Sequence, residues 1–255
     1  MIVDFNAYVG YWPFRRLPAR SADEVVRLLD KGGIDIAVVS SLNSTLYADA
    51  HEGNLELIDE TRQHKDRLIP VAVLNPKYPG WEHDLEECIR LGFKGVRLYP
   101  QYHNYALTDD ECLKLVSKAS EMNLTVSIPM RLRDRRGRHW IDVARDIEFA
   151  EVEQLASRMP DSRIILLESR GAENSTVTKY RNVYFETSRI STTLGEMAKL
   201  FRLVGASRLI FGSGAPLKYI SPAKLRIQLL DVPDEARESI LWRNAFDLLG
   251  LKTRD

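Results

Sequence analysis

A chain of 255 residues, 44% of them hydrophobic, holds enough apolar material for one large core and matches the usual size of an α/β barrel. Its 36 acidic and 36 basic side chains balance, which excludes the holding of nucleic acid or a membrane surface by bulk charge as its main business. No apolar run reaches spanning length, and Met1 to Phe5 lacks the basic flank and cleavage site of a signal peptide, so a cytoplasmic protein is expected.

Met1 to Phe5 reads as a buried strand, and Asn6 and Tyr8, two residues apart, point to one side at its end. Ser21 with Glu24 forms a capping box that opens the first helix, which Gly32-Gly33 ends. Ile34 to Val39 is the second strand, and a helix near residues 53 to 65 follows. Leu68 to Leu74 is the third strand, stopped by Asn75-Pro76. A helix from Trp81 to Leu91 closes at Gly92, and Gly95 to Tyr99 is the fourth strand. Thr108 with Glu111 repeats the capping pattern and opens a helix to about Met122. Leu124 to Ile128 is the fifth strand, followed by a long basic loop, Met130 to Trp140, and a helix from about Ile147 to Arg158. Strands six, seven and eight are Arg163 to Glu168, Asn182 to Thr187 and Arg208 to Gly212. Two helices close the chain, one begun by Ser221-Pro222 and one from Asp234 to Leu249.

Eight apolar strands, most separated by a helix, fit a (β/α)8 TIM barrel, here a single domain over residues 1–255. A doubly wound open sheet is the alternative, and it lacks a glycine-rich phosphate loop, since Gly212-Ser213-Gly214 runs on into Ala215-Pro216. Cys88 and Cys112 lie in different helices without CxxC spacing and read as reduced structural thiols.

The stretches Ile2 to Phe5, Gly92 to Pro100, Asn182 to Ser188, Arg208 to Ser213 and Asn244-Ala245 together resemble the amidohydrolase-related branch of the amidohydrolase superfamily. The resemblance covers nearly the whole chain and implies a metal-dependent hydrolase or decarboxylase on a distorted TIM barrel. It also places the family's metal ligands. The His-x-His that ends the first strand falls on Asn6 and Tyr8. The later histidines fall on Pro129 and Glu168, and the aspartate after strand eight on Gly214. An amide, a phenol, a proline and a glycine do not build a zinc site, so neither a catalytic metal nor another cofactor is expected.

The presumed mouth carries positive charge instead: Arg97 at the end of strand four, Arg131 and Arg133 after strand five, and Arg170 after strand six. Guanidinium forks suit carboxylates, so a small anionic substrate is expected, with Arg97, Arg131 and Arg170 binding it. The bland reading of the run Arg131 to Arg138 is a solvated loop. Glu168 ends an apolar strand and is the candidate acid or base, or else one half of a structural ion pair. His103, in the loop after strand four, is a second acid or base candidate, or a loop histidine in water. Asn6, Tyr8 and Tyr99 are candidate donors to a developing oxyanion.

Two functions follow. One is a metal-independent hydrolase, or related bond-cleaving enzyme, for a small carboxylate. The other is an inactive barrel that binds a ligand or partner. Tyr11, Trp12 and Trp81 are read as exposed aromatics that suit a homo-oligomer interface, or equally as a cover on the barrel.

Overall fold

The computed structural model of the chain, which describes residues 1–189 and 194–252, is a closed ring of parallel staves wrapped by helices. β1 (Val3–Val9) pairs with β2 (Ile36–Ser41), and β2 with the first half of β3 (Leu68–Pro70). β3 breaks at Val71 and resumes as Ala72–Val73, which pairs with β4 (Gly95–Arg97). The order then runs through β5 (Thr125–Pro129), β6 (Arg163–Leu167), β7 (Val183–Glu186) and β8 (Leu209–Ile210), all parallel. Backbone bonds between β1 and the segment after β8 close the ring: Phe5 N–H to the Phe211 carbonyl at 2.9 Å, Tyr8 N–H to that of Ala215 at 2.9 Å, and Gly214 N–H to that of Asn6 at 2.7 Å. Leu68 to Leu74 is therefore not one strand. Pro70 has no N–H to give, and the backbone bends there so that one half faces β2 and the other β4.

The helices begin where local chemistry pins them. α1 (Ala22–Gly32) has the Ser21–Glu24 capping box and ends at Gly33, with φ 65°. α2 (Ala50–Thr61) starts before residue 53 because the Asp49 carboxylate accepts from His51 N–H. α3 (Trp81–Leu91) stops at Gly92, with φ 98°. For α4 (Asp110–Glu121) the Thr108–Glu111 box does not form. Asp109 takes the cap position and turns its carboxylate back to Ala106 N–H at 3.1 Å. α5 (Phe149–Arg158) follows β5, only short 3₁₀ turns join β6 to β7, and α6 (Leu194–Val204) precedes β8.

α7 (Ile220–Gln228) packs beside α1. The last helix is not continuous: α8 (Asp234–Glu238) and α9 (Asn244–Leu249) flank a π turn at Ser239–Arg243. That turn frees the Ile240 carbonyl to accept from Phe211 N–H at 2.8 Å, which ties it to the barrel. No described helix is long and apolar enough to cross a membrane.

Three apolar clusters fill the molecule. The largest lies between staves and helices, and includes Cys88 and Cys112, free thiols that burial pushes up to about 12. α9 covers the barrel floor with Phe246, Leu248 and Leu249 against Val3, Phe5 and Ile210. The mouth, at the C-terminal ends of the staves, is covered by Trp12, Leu132 and Leu217 packed on Tyr8 and Tyr99. Of the aromatics expected at the surface only Tyr11 is exposed; Trp12 and Trp81 are buried, at 4% and 6% exposure.

Candidate active site at the barrel mouth

The polar residues beneath that cover divide into two groups. The first is centred on Arg97. Its side chain is fully buried and four of its five N–H donors serve the protein: Nε to Ser127 Oγ (3.2 Å), Nη1 to Ser40 Oγ (3.0 Å) and the Ala7 carbonyl (3.2 Å), Nη2 to the Phe5 carbonyl (3.1 Å). Its guanidinium also lies 5.1 Å from the Tyr8 ring centroid. So placed, Arg97 stitches β4 to β1, β2 and β5, and it is not free to fork a substrate carboxylate. Tyr99 belongs to the same group, its hydroxyl 3.3 Å from Ser40 Oγ.

The second group surrounds Glu168. This residue follows β6 in a left-handed conformation (φ 61°) that side-chain-bearing residues adopt at a cost of order 1–3 kcal/mol. Two partners hold it there. Its N–H donates to Glu186 Oε2 (3.2 Å), and its Oε1 accepts from Ser188 Oγ (3.1 Å). Its other oxygen meets the Lys218 ammonium in an ion pair at 2% exposure for the glutamate.

Glu186 ends β7 and gathers donors from Asn6 Nδ2 (3.0 Å), Ser188 Oγ (2.9 Å) and Ser188 N–H. Burial, aided by the Asp4 charge, pushes its carboxyl well up. Asp4, in β1, accepts from Ser213 N–H (2.9 Å), Ser213 Oγ and Asn6 N–H (3.0 Å). Burial pushes it up to about 6.

Gly214 explains how Lys218 enters the barrel. Its backbone (φ 76°) starts a turn in which Lys218 N–H bonds back to the Gly214 carbonyl at 3.0 Å. A Cβ at 214 would lie 3.0 Å from Glu168 Oε1 and 3.1 Å from Lys218 Cδ. The lysine stem therefore fills the space that a side chain at 214 would take. Burial, together with Arg131, Arg133 and Arg226, draws the Lys218 ammonium down to about 7; the Glu168 carboxylate in contact with it acts the other way.

Several buried polar atoms have no partner among the described residues. In β1 these are Asn6 Oδ1 and the Tyr8 hydroxyl, and on the β5 loop it is Arg131 Nε. Such groups are costly to leave unpaired, and they make this side of the mouth polar and uncommitted.

The remaining candidates make no direct contact with Glu168. Arg131 pairs with Asp146 (3.1 Å), which also holds Arg135 (3.2 Å) and Arg138 (2.9 Å), so the basic loop is folded around one buried carboxylate rather than wholly solvated. Arg170 is exposed and makes no side-chain bond among the described residues. His103 ends a helical turn at Pro100–His103, its Nε2 3.2 Å from the Ser44 carbonyl and its ring against Tyr99 and Tyr105. Burial holds it below its usual range, and none of its contacts reaches Glu168.

Sequence reasoning missed Lys218, which sits in a loop with no motif around it. Glu186 and Asp4 carried the signal that singled out Glu168, a carboxylate within an apolar strand.

The set does not fit a divalent metal. Among the described residues no three His, Cys, Asp or Glu side chains converge as ligands. Asn6 offers only a neutral amide oxygen, Glu168 already holds an ammonium, and Pro129 and Gly214 offer no side-chain donor.

The whole chain has known structural relatives. Among solved structures similar to it are a 2,6-dihydroxybenzoate decarboxylase from Rhizobium (TM-score 0.77, 16% identity, 98% of each chain) and a dihydroxybenzoic acid decarboxylase from a Polaromonas species with bound manganese and 2-nitroresorcinol (TM-score 0.78, 18% identity, 99% of this chain and 98% of that one). A third is a probable 2-pyrone-4,6-dicarboxylic acid hydrolase from Acinetobacter baumannii with citric acid bound (TM-score 0.67, 16% identity, 98% and 99%). At these identities they show the fold, a TIM barrel. No curated protein matches the chain in sequence. The family model described as Amidohydrolase matches residues 9–251, and the chain belongs to that family.

Proposed function

We propose that the chain is a bond-cleaving enzyme for a small carboxylate, most simply a hydrolase, that works without a metal at the family's ligand positions. The observation that carries this reading is Glu168: a buried carboxylate, held in a left-handed turn, pressed against a lysine beside polar atoms that no group among the described residues satisfies. Glu168 is the acid or base. As base it takes a proton from water while the water oxygen bonds to the substrate carbon, and it returns that proton to the leaving atom as the bond between that atom and the carbon breaks. Lys218 supplies a fixed positive charge, and the Tyr8 hydroxyl and Arg131 Nε are free donors for oxygen atoms that gain charge. The substrate class is supported by relatives that act on dihydroxybenzoate or pyrone dicarboxylic acid. In this arrangement Arg97 and Tyr99 support the site from below, and His103 and Arg170 have no direct part.

The test is turnover of a panel of aromatic and cyclic carboxylates in the presence of a chelator. Turnover that survives the chelator and vanishes in Glu168→Gln, while ligand binding persists, is the expected result. Turnover that needs added zinc or manganese would overturn the metal-free reading.

A second reading has its own support, the cover of Trp12, Leu132 and Leu217 over the mouth. In that reading the barrel binds a carboxylate or a partner without turning it over. Binding with no turnover across the panel would establish it.

A further inference from the structure

Outside the barrel mouth, α1 and the loop after β8 enclose a cavity of about 530 Å³. Its floor is apolar, with Leu28 from α1 and Leu217 from the loop. Three cations, Arg15, Arg16 and Lys31, also line it, together with Lys218, whose ammonium is spent on Glu168, and no aspartate or glutamate does. Close packing of α1 on α7 shapes this wall: a Cβ at Gly32 would lie 2.7 Å from Ile220 Cδ1.

Arg15, Arg16 and Lys31 have no carboxylate partner among the described residues. Arg15 donates only to the Leu217 carbonyl, at 2.8 Å, and Arg133 shares that same oxygen at 3.3 Å. Two guanidiniums on one neutral carbonyl repel each other, and Arg15 is one of the causes that draw Arg133 below its usual range, after burial. A neighbouring lysine, Lys224, is likewise satisfied by a carbonyl, that of Gly32 at 2.7 Å. An anion placed here would relieve that repulsion and meet charged donors that are bound to nothing stronger than a backbone oxygen.

We infer that this cavity is a second binding site, separate from the barrel mouth, for a small amphipathic anion: one carboxylate attached to an aromatic or branched apolar body. The apolar body packs on Leu28 and Leu217, and the carboxylate faces Arg15, Arg16 and Lys31. Citrate and inorganic phosphate, which carry charge without an apolar body, bind more weakly. This inference does not depend on the reading of Glu168.

Isothermal titration of the full chain with benzoate and 1-naphthoate, and with inorganic phosphate as the polar control, tests it. Saturable binding, tighter for naphthoate than for benzoate and weakest for phosphate, is expected. Arg16→Glu combined with Lys31→Glu, both at exposed positions, weakens naphthoate at least tenfold. Three results would overturn the proposal: no naphthoate binding, binding untouched by the charge reversal, or phosphate binding as tight as naphthoate.

Discussion

Arg97 and Glu168 are both buried charges on the inner wall of one barrel, and the chain surrounds them in opposite ways. Arg97 has an ordinary strand backbone and spends four donors on oxygens from three other segments. Around Glu168 the backbone is left-handed, two further carboxyls with raised proton affinity lie nearby, and polar atoms are left without partners among the described residues. A buried charge whose hydrogen bonds are complete holds a fold together. One whose surroundings remain strained and unsatisfied is where a protein keeps free energy available for a ligand.

The sharpest way to break this contrast is Arg97→Met. It leaves the Phe5 and Ala7 carbonyls without their donor and is expected to cost about 4 kcal/mol, since each orphaned buried group costs roughly 1–3 kcal/mol. Urea unfolding measures it, and a loss under about 1 kcal/mol would put Arg97 in the same class as Glu168.

The next effect is a pH dependence. Asp4 rises from 3.8 to about 6 through burial, and burial raises Glu186 further. A carboxyl whose proton affinity is higher in the folded state contributes its full stability below the unfolded value near 4. It loses that contribution as pH climbs through its folded value. Stability is therefore expected to fall between pH 4 and pH 6 by about 3 kcal/mol from Asp4 alone, at roughly 1.4 kcal/mol for each unit of displacement, and Glu186 carries the decline on to pH 8. Glu186→Gln makes the decline shallower. A melting temperature that rises over that window, in wild type, would remove the claim that this region is frustrated.

Smaller again is Lys218→Met, expected to cost about 2 kcal/mol because it strands the Glu168 carboxylate. Adding Glu168→Gln recovers most of the loss, because a neutral pair replaces a buried ion pair. Comparing the single and double variants by thermal melting measures the coupling, and additive costs would mean that the two side chains do not act as a pair. Arg170→Ala is expected to change neither stability nor carboxylate binding; a measurable loss of affinity would bring Arg170 back into the site.

How much of this was legible in the sequence depended on whether the determinants were local. The eight-stave count, the Ser21–Glu24 cap and the glycine stops at 33 and 92 all rest on neighbouring residues, and the structure has each of them. The break at Val71 was not legible, because it answers to the different directions of two partner strands. At the amino end of α4, Thr108 lost the cap to Asp109, which the same local rule favours as much. In the site, Glu168, Glu186 and Asp4 stand out as carboxylates in apolar strands, and that pattern was visible. Lys218 was not, since only the fold of the loop after Gly214 carries it to Glu168. Trp12 could be read as interface or as cover, and only the fold decides it, since it packs on the mouth with Tyr8 and Tyr99.

The crowding at Gly214 also limits how the site can be rebuilt. An aspartate there would have to adopt φ 76° and share its space with Glu168 and the stem of Lys218. Placing a ligand at 214 by mutation would therefore meet a clash before it offered any benefit. Lys218 would have to leave first, and its departure strands Glu168. The lysine thus acts as a latch: while it occupies the space, a single substitution that puts a carboxylate at 214 runs uphill.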